Sequence, residues 1–331
     1  MKKTILWLLK AAIGGLVAFV GLTAFCSIYY NVPVHTQTVD GATDYAWEYN
    51  KFYSRATEGF GYGRTNNEGY LNIEDYSGSE EIDILVMGSS HMEAYQVSME
   101  ESTASRLNAL LPDDTVYNIG VSGHDFLVCA DNLSAAVAKY RPSKYVLLET
   151  SNISFSEEQL TAAINETVSD IPSHSGGIFG ILQKNQFLRR FYSQIQSFSN
   201  NTKATGKSEK APSGEVERNL ELYDELLSKM SGTVAENGAQ LIIVYQYNLE
   251  VEENGAATYS KNDELVSDFA AVCERNNVMF LDMGDYFVKY YEENLILPHG
   301  FWNTSVGSGH LNQYGHEIIA HAVYDMIKEG T

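Results

Sequence analysis

Four short polar segments carry the residues that could do chemistry. Gly88-Ser89-Ser90-His91 follows one apolar run, Gly120-Val121-Ser122-Gly123 a second and Thr150-Ser151-Asn152 a third, while Gly309-His310-Leu311-Asn312 lies near the C-terminus. A serine hydroxyl and an imidazole are the pair needed for attack on a carbonyl, with His310 taking the proton as Ser90 Oγ adds. The N–H groups of Ser90 and Gly123 and the Asn152 amide are donors suited to the oxyanion that forms. Each segment also has an ordinary reading when taken alone. Gly-Ser is a common strand-to-helix turn, Gly123 suits a tight turn, Asn152 suits a helix N-cap, and a lone loop histidine is usually a surface residue. His316 falls inside the last expected helix and reads as structural.

These segments need a scaffold that brings them together. Ile82–Met87 is nearly continuous in apolar residues, as expected of a strand covered on both faces of a parallel sheet. Similar runs occur at Val116–Ile119, Tyr145–Leu148, Gln240–Tyr245 and Val278–Leu281. Helical periodicity lies between them at Ser102–Leu111, Phe126–Tyr140, Glu215–Glu236 and Glu264–Asn276, with a last helix at Gln313–Lys328. Alternating strands and helices predict a three-layer α/β/α doubly wound parallel sheet. Ligands in such sheets bind at the carboxyl ends of the strands, where Ser90, Gly123 and Asn152 fall.

The four blocks, in this order and one per strand end, resemble the SGNH (GDSL-like) hydrolase superfamily over about residues 82–328. The bacterial membrane-anchored envelope type is the nearest look-alike, with Gly-Ser-Ser-His in place of Gly-Asp-Ser. The resemblance implies a flavodoxin-like fold without a cofactor and Ser90 as nucleophile. It also implies His310 as base and an oxyanion hole from Ser90, Gly123 and Asn152. The third block stands as Thr150-Ser151-Asn152-Ile153 where Gly-x-Asn-Asp is usual, and the departure that matters is at Gly307, where the superfamily usually has Asp three residues before the histidine. His310 must then be oriented by a backbone carbonyl, by Ser308, or by a carboxylate such as Asp282 or Asp285. A Ser–His dyad, a relocated acid and a degenerate enzyme are the three outcomes. The envelope relatives further imply an acylated cell-surface polysaccharide as substrate and a multi-pass membrane acyltransferase as partner. Hydrolysis and O-acyl transfer both stay open, and a non-catalytic glycan-binding or scaffolding domain is the alternative.

Composition limits the remaining possibilities. Among 331 residues, 22 basic side chains face 43 acidic ones, for a net charge of −21. Such a surface repels a phosphate backbone, and no basic stripe offsets it, so nucleic-acid binding is not expected. Lys2, Lys3 and Lys10 precede an apolar run from Ala11 to about Tyr30, long enough to cross ~30 Å of hydrocarbon. The flanking charge predicts a cytoplasmic N-terminus and an extracytoplasmic domain. An uncleaved anchor is preferred to a signal peptide cut near Ala24–Cys26, because the run is long for an h-region. The expected division is therefore an anchor over 1–30, a stalk with little regular structure over 31–80 that packs on the domain, and a catalytic domain over 81–331. An insertion at about 157–214 holds an amphipathic helix at Ile178–Phe198 and a polar loop at Ser197–Ser213. Cys129 and Cys273 read as buried thiols rather than a disulfide, and no Cys/His cluster has metal-site spacing. A metal-dependent hydrolase would want clustered carboxylates at the strand ends, which carry Ser, Gly and Asn instead.

Overall fold

In a parallel sheet covered on both faces, successive strand residues must feed two separate cores, and the central strands of this chain do so. The computed structural model describes residues 2–33, 35–36, 46–78, 82–165, 185–191, 213–259 and 263–329. Five parallel strands form the central sheet: β5 (Ile84–Met87), β6 (Val116–Asn118), β7 (Tyr145–Thr150), β8 (Gln240–Tyr245) and β11 (Met279–Asp282). Their spatial order is β6-β5-β7-β8-β11. This is the flavodoxin-like doubly wound order, with its topological switch between β5 and β7.

Leu85, Val146 and Ile243 point into one core, and Ile84, Leu147 and Val244 into the other. The first core is closed by α4 (Phe126–Tyr140), α5 (Glu157–Ile164), α6 (Ser213–Ala235) and α7 (Asp263–Arg275), through side chains such as Leu133, Leu160, Leu227 and Phe269. The second is closed by α3 (Thr103–Leu110), α8 (Gly284–Asn294) and α9 (Gln313–Glu329), through Leu107, Phe287 and Ile319. Truncating one of these fully buried leucines to alanine costs about 2–5 kcal/mol, since transfer and cavity terms add.

Local chemistry sets the helix starts. Asp125 accepts from the N–H groups of Leu127 and Val128 to open α4, and Ser156 and Gln159 form a capping box on α5. His316, 1% exposed on α9, does the same for a neighbour, its Nδ1 accepting from the Thr103 N–H at 3.3 Å. The five expected strands of the sheet and the five helices expected around them are present, each within about two residues of its expected ends. Elements outside that expectation include α5, α8, whose buried residues are only Gly284 and Phe287, and a hairpin of β9 (Leu249–Val251) and β10 (Ala257–Tyr259).

The N-terminal segment holds the expected apolar helix and more regular structure after it than expected. A helix, α1 (Lys2–Tyr29), is long and apolar enough to span a membrane, and its side chains are largely exposed. After it, residues 46–78 are structured rather than a plain stalk. β1 (His35–Thr36) pairs with β2 (Ala46–Trp47), and β3 (Phe52–Arg55) pairs with β4 (Gly61–Arg64) as a hairpin. Asn72 then covers edge strand β6, its amide donating to the Asn118 carbonyl and its oxygen accepting from the Asn118 N–H, both at 2.8 Å. Of the helix expected at 178–198, only 185–191 are described, and 186–191 are helical. The polar stretch at 197–213 lies outside the described residues except for Ser213, which opens α6. Cys129 and Cys273 are buried free thiols, as is Cys26.

Burial holds the His316 imidazole down to about 3, so the folded protein keeps it neutral where an unfolded chain would protonate it. The unfolded state then binds more protons between about pH 6.5 and pH 3, and stability falls as pH drops through that window. Thermal melts at about pH 7 and about pH 5 should show wild type losing more melting temperature than His316→Gln.

Candidate active site

Ser90 is the first residue of a single helical turn, α2 (Ser90–Glu93), set directly on the end of β5. Its neighbour Ser89 is the N-cap and is held from beneath by a buried carboxylate. Glu149, at the end of β7 and fully buried, accepts the Ser89 N–H at 3.1 Å and the Ser89 hydroxyl at 3.0 Å. Its other oxygen accepts from the Gln246 amide at 2.8 Å, and Gln246 Oε1 accepts from His299 Nε2 at 2.7 Å. Residues at the ends of β7 and β8 therefore fix the turn that presents Ser90. A buried carboxylate is tolerated here because three donors satisfy it.

His310 reaches Ser90 from the loop before α9. Its Nε2 lies 2.9 Å from Ser90 Oγ, and its Nδ1 lies 2.6 Å from Glu58 Oε2. A carboxylate only accepts, so Nδ1 carries the proton and Nε2 is left to accept from the serine hydroxyl. Glu58 also takes the His310 backbone N–H on its second oxygen at 3.0 Å. Two contacts to one residue hold both the tautomer and the position of the ring, which is the role an acid plays in a serine triad. Burial pushes the Glu58 carboxyl up, but the side-chain and backbone hydrogen bonds from His310 outweigh it and hold the group below its ordinary value.

The carboxylate that orients His310 thus comes from the N-terminal segment. Asp282 ends the edge strand β11, where its Oδ1 accepts the Gly284 N–H at 3.0 Å and the Tyr247 hydroxyl at 3.3 Å. Asp285 is exposed in the first turn of α8, and Ser308 is exposed in the His310 loop. None of the three contacts the imidazole, because the edge strand stands three places from β5 while Glu58 arrives from outside the sheet. The backbone explains why an acid is missing at 307. Gly307 has φ +88°, a left-handed conformation that an aspartate adopts only with strain. Gly309 is needed for a second reason. A Cβ there would sit 2.6 Å from Glu58 Oε1, so only glycine lets the carboxylate reach the His310 backbone.

The acid loop is itself clamped. Asn303 Oδ1 accepts the Gly59 N–H at 2.9 Å, and the Asn303 amide donates to the carbonyls of Ala56 and Gly59 at 3.3 and 3.0 Å. His91 lines the same corner, where its Nδ1 accepts the Leu311 N–H at 3.2 Å and its ring stands 5.3 Å from that of His310. Burial and the nearby imidazoles depress the His299 pKa well below the usual range, which keeps it neutral beside Gln246.

Gly123 follows β6 in an exposed turn with φ +92°, and Asn152 follows β7, where its side chain closes an Asx turn by accepting the Ser154 N–H at 2.8 Å. Both stand at carboxyl ends of strands flanking β5, and neither makes a hydrogen bond to Ser90. Glu58, Glu149, Gln246 and His299 are site residues that sequence reasoning missed. Glu58 stands immediately before Gly59 in a tyrosine- and glycine-rich segment, and nothing about its spacing points to a partner far along the chain.

No protein-family model matches the sequence, and no curated protein matches it. Among solved structures, the chain resembles SGNH/GDSL-like hydrolases. The esterase EstA from Pseudoalteromonas sp. is 15% identical, with a TM-score of 0.41, over 74% of this chain and 96% of that one. A protein of Slackia heliotrinireducens assigned to the SGNH hydrolases is 12% identical, with a TM-score of 0.42, over 75% and 100%. The acetyl xylan esterase AlAXEase is 12% identical, with a TM-score of 0.40, over 74% and 99%. The likeness is one of fold.

A carboxylate whose value is lowered on folding contributes stability above its unfolded value and loses it as pH falls through the folded one. The Glu58–His310 contact should therefore stabilise the protein at about pH 7, and that contribution should shrink as pH falls below the ordinary carboxylate range. Paired thermal melts of wild type and Glu58→Gln should differ at the higher pH and draw together as pH falls.

Proposed function

We propose that the protein is a serine-dependent acyl-ester hydrolase or O-acyltransferase working through an acyl-Ser90 intermediate. The observation that carries this reading is the unbroken chain from Ser90 Oγ to His310 Nε2 at 2.9 Å and from His310 Nδ1 to Glu58 Oε2 at 2.6 Å. His310 removes the hydroxyl proton as Ser90 attacks the carbonyl, and Glu58 stabilises the imidazolium that results. The oxyanion is received by the Ser90 and Gly123 N–H groups and the Asn152 amide. This last assignment rests on their positions at neighbouring strand ends, and Asn152 would leave its Asx turn to serve. His310 then protonates the leaving alcohol, and water or a sugar hydroxyl resolves the acyl-enzyme.

The apolar α1, with lysines on its N-terminal side, supports an extracytoplasmic domain on a single anchor. A domain in that place faces surface polysaccharide, and we propose its O-acetyl esters as substrate, with a multi-pass membrane acyltransferase as the partner if the reaction is transfer. Trp302, 85% exposed on the loop leading to His310, offers a stacking face for a sugar ring. The same tryptophan suits a glycan-binding domain without catalysis. The completed triad favours the enzyme.

Two measurements separate these readings. A fluorophosphonate probe should label the wild type and fail on Ser90→Ala; an unlabelled wild type, beside a serine esterase that labels, would sink the enzyme reading. Turnover of p-nitrophenyl acetate should fall by roughly 10³–10⁴ in Glu58→Gln, the cost of losing the tautomer-fixing acid. Glu58→Gln with Gly307→Asp should not recover, because the backbone at 307 disfavours any side chain.

A further inference from the structure

The hairpin that leads into Glu58 is fastened to the end of the apolar helix. Ser54 on β3 donates its hydroxyl to the Ile28 carbonyl in the last turn of α1, and its N–H to the Asn31 carbonyl at 2.9 Å. The Asn31 amide returns a hydrogen bond to the Phe52 carbonyl at 2.8 Å. Tyr29 and Tyr30 mark this end of the helix, with the Arg190 guanidinium over the Tyr30 ring at 5.1 Å. Amphipathic aromatics beside cationic side chains are the usual furnishing of a membrane–water boundary.

Strand alternation fixes which hairpin face looks that way. Tyr53 points inward, is fully buried and packs edge-on against Tyr95 at 4.5 Å. Ser54 points the other way, and its cross-strand partner is Tyr62, with Phe52 two residues along on the same face. Phe52 is 55% exposed, Tyr62 is 47% exposed, and the 50%-exposed Phe60 ring lies 6.3 Å from that of Tyr62. Three large aromatics are thus left in solvent on the one face that turns toward the anchor. A second segment repeats the pattern. In residues 186–191, Phe187 meets Phe19 of α1 at 5.9 Å, Phe191 is 57% exposed, and Arg189 donates to the Val32 and Pro33 carbonyls where the chain leaves the helix.

We infer that the outer face of the β3–β4 hairpin, with Phe52, Phe60 and Tyr62, rests on the surface of the bilayer that holds α1. The occupant of the patch is lipid, because the patch is continuous with a helix apolar enough to span and carries rings of the kind that settle at the interface. Glu58 lies four residues beyond Ser54, within about 14 Å of fully extended chain, so the triad is held alongside the membrane rather than swung out on a tether. The inference rests on α1 being retained as a span, and it is independent of the reaction at Ser90.

Site-directed fluorescence tests it on the full-length chain reconstituted in phosphatidylcholine–phosphatidylglycerol vesicles. All three native cysteines are buried, so an introduced surface thiol takes the label. An NBD group on Tyr62→Cys should be quenched by lipids carrying a nitroxide near the headgroup at least roughly twofold more than one on Glu274→Cys, an exposed position on α7. The same label on Phe52→Cys should follow Tyr62→Cys, which guards against misfolding of a single variant. Quenching at 52 and 62 no greater than at 274 would overturn the inference. The readout is depth rather than turnover, so its outcome is separate from that of the fluorophosphonate experiment.

Discussion

The contact between Glu58 and His310 is the constraint around which the site is organised. It joins a loop near the N-terminus to a loop near the C-terminus, and both oxygens of one carboxylate are used on one residue. Several otherwise unrelated features follow from it. Gly309 must lack a side chain to let the carboxylate in, Asn303 must hold the acid loop in place, and the N-terminal segment must pack on the sheet. A charge-assisted hydrogen bond at a partly buried position is stronger than a neutral one, and it also fixes the imidazole tautomer. One interaction therefore serves both the fold and the chemistry.

The sheet supplies the other half of the site. Reversal of strand order between β5 and β7 opens the crevice in which Ser90 stands. The serine turn would be loosely held if it depended on a four-residue helix alone. Glu149, Gln246 and His299 brace it from below, so Ser90 is positioned by the ends of three adjacent strands and by the loop before α9. Glu93 at the other end of α2 is also buried, accepting from the Trp47 indole at 2.6 Å and from the Ser122 hydroxyl. Burial, partly offset by those hydrogen bonds, raises its pKa. The turn that bears Ser90 is thus tied to the sheet through Ser89 and to the N-terminal segment through Glu93.

That segment has three tasks at once. It covers the edge of β6 through Asn72, where an open strand would invite pairing with another chain. It also supplies Glu58 and grips the end of α1 through Ser54. The same stretch of chain thus touches both the end of the apolar helix and the His310 imidazole. This coupling gives a physical reason for an acid placed outside the usual motif.

How much of this was legible in the sequence differs from residue to residue. Ile84–Met87, Val146–Leu148 and Gln240–Tyr245 announce themselves because burial on both faces demands continuous apolar runs, and the helices between them keep a 3.6-residue period. With strand ends located, Ser90 and His310 stand out by type and by place. The orienting acid does not. Asp282 and Asp285 are the carboxylates named as candidates, whereas Glu58 belongs to a segment whose glycines and tyrosines carry no periodicity. Its pairing with His310 exists only because the hairpin packs against Tyr95–Met99, the segment that follows the turn bearing Ser90. Glu149 likewise reads as one more residue of a strand until the turn above it shows what its carboxylate receives. Local patterning thus determined the elements and singled out Ser90 and His310, since both depend on near neighbours. Tertiary packing alone decided which carboxylate meets the imidazole, because that choice depends on where distant loops come to rest and on the absence of a Cβ at Gly309.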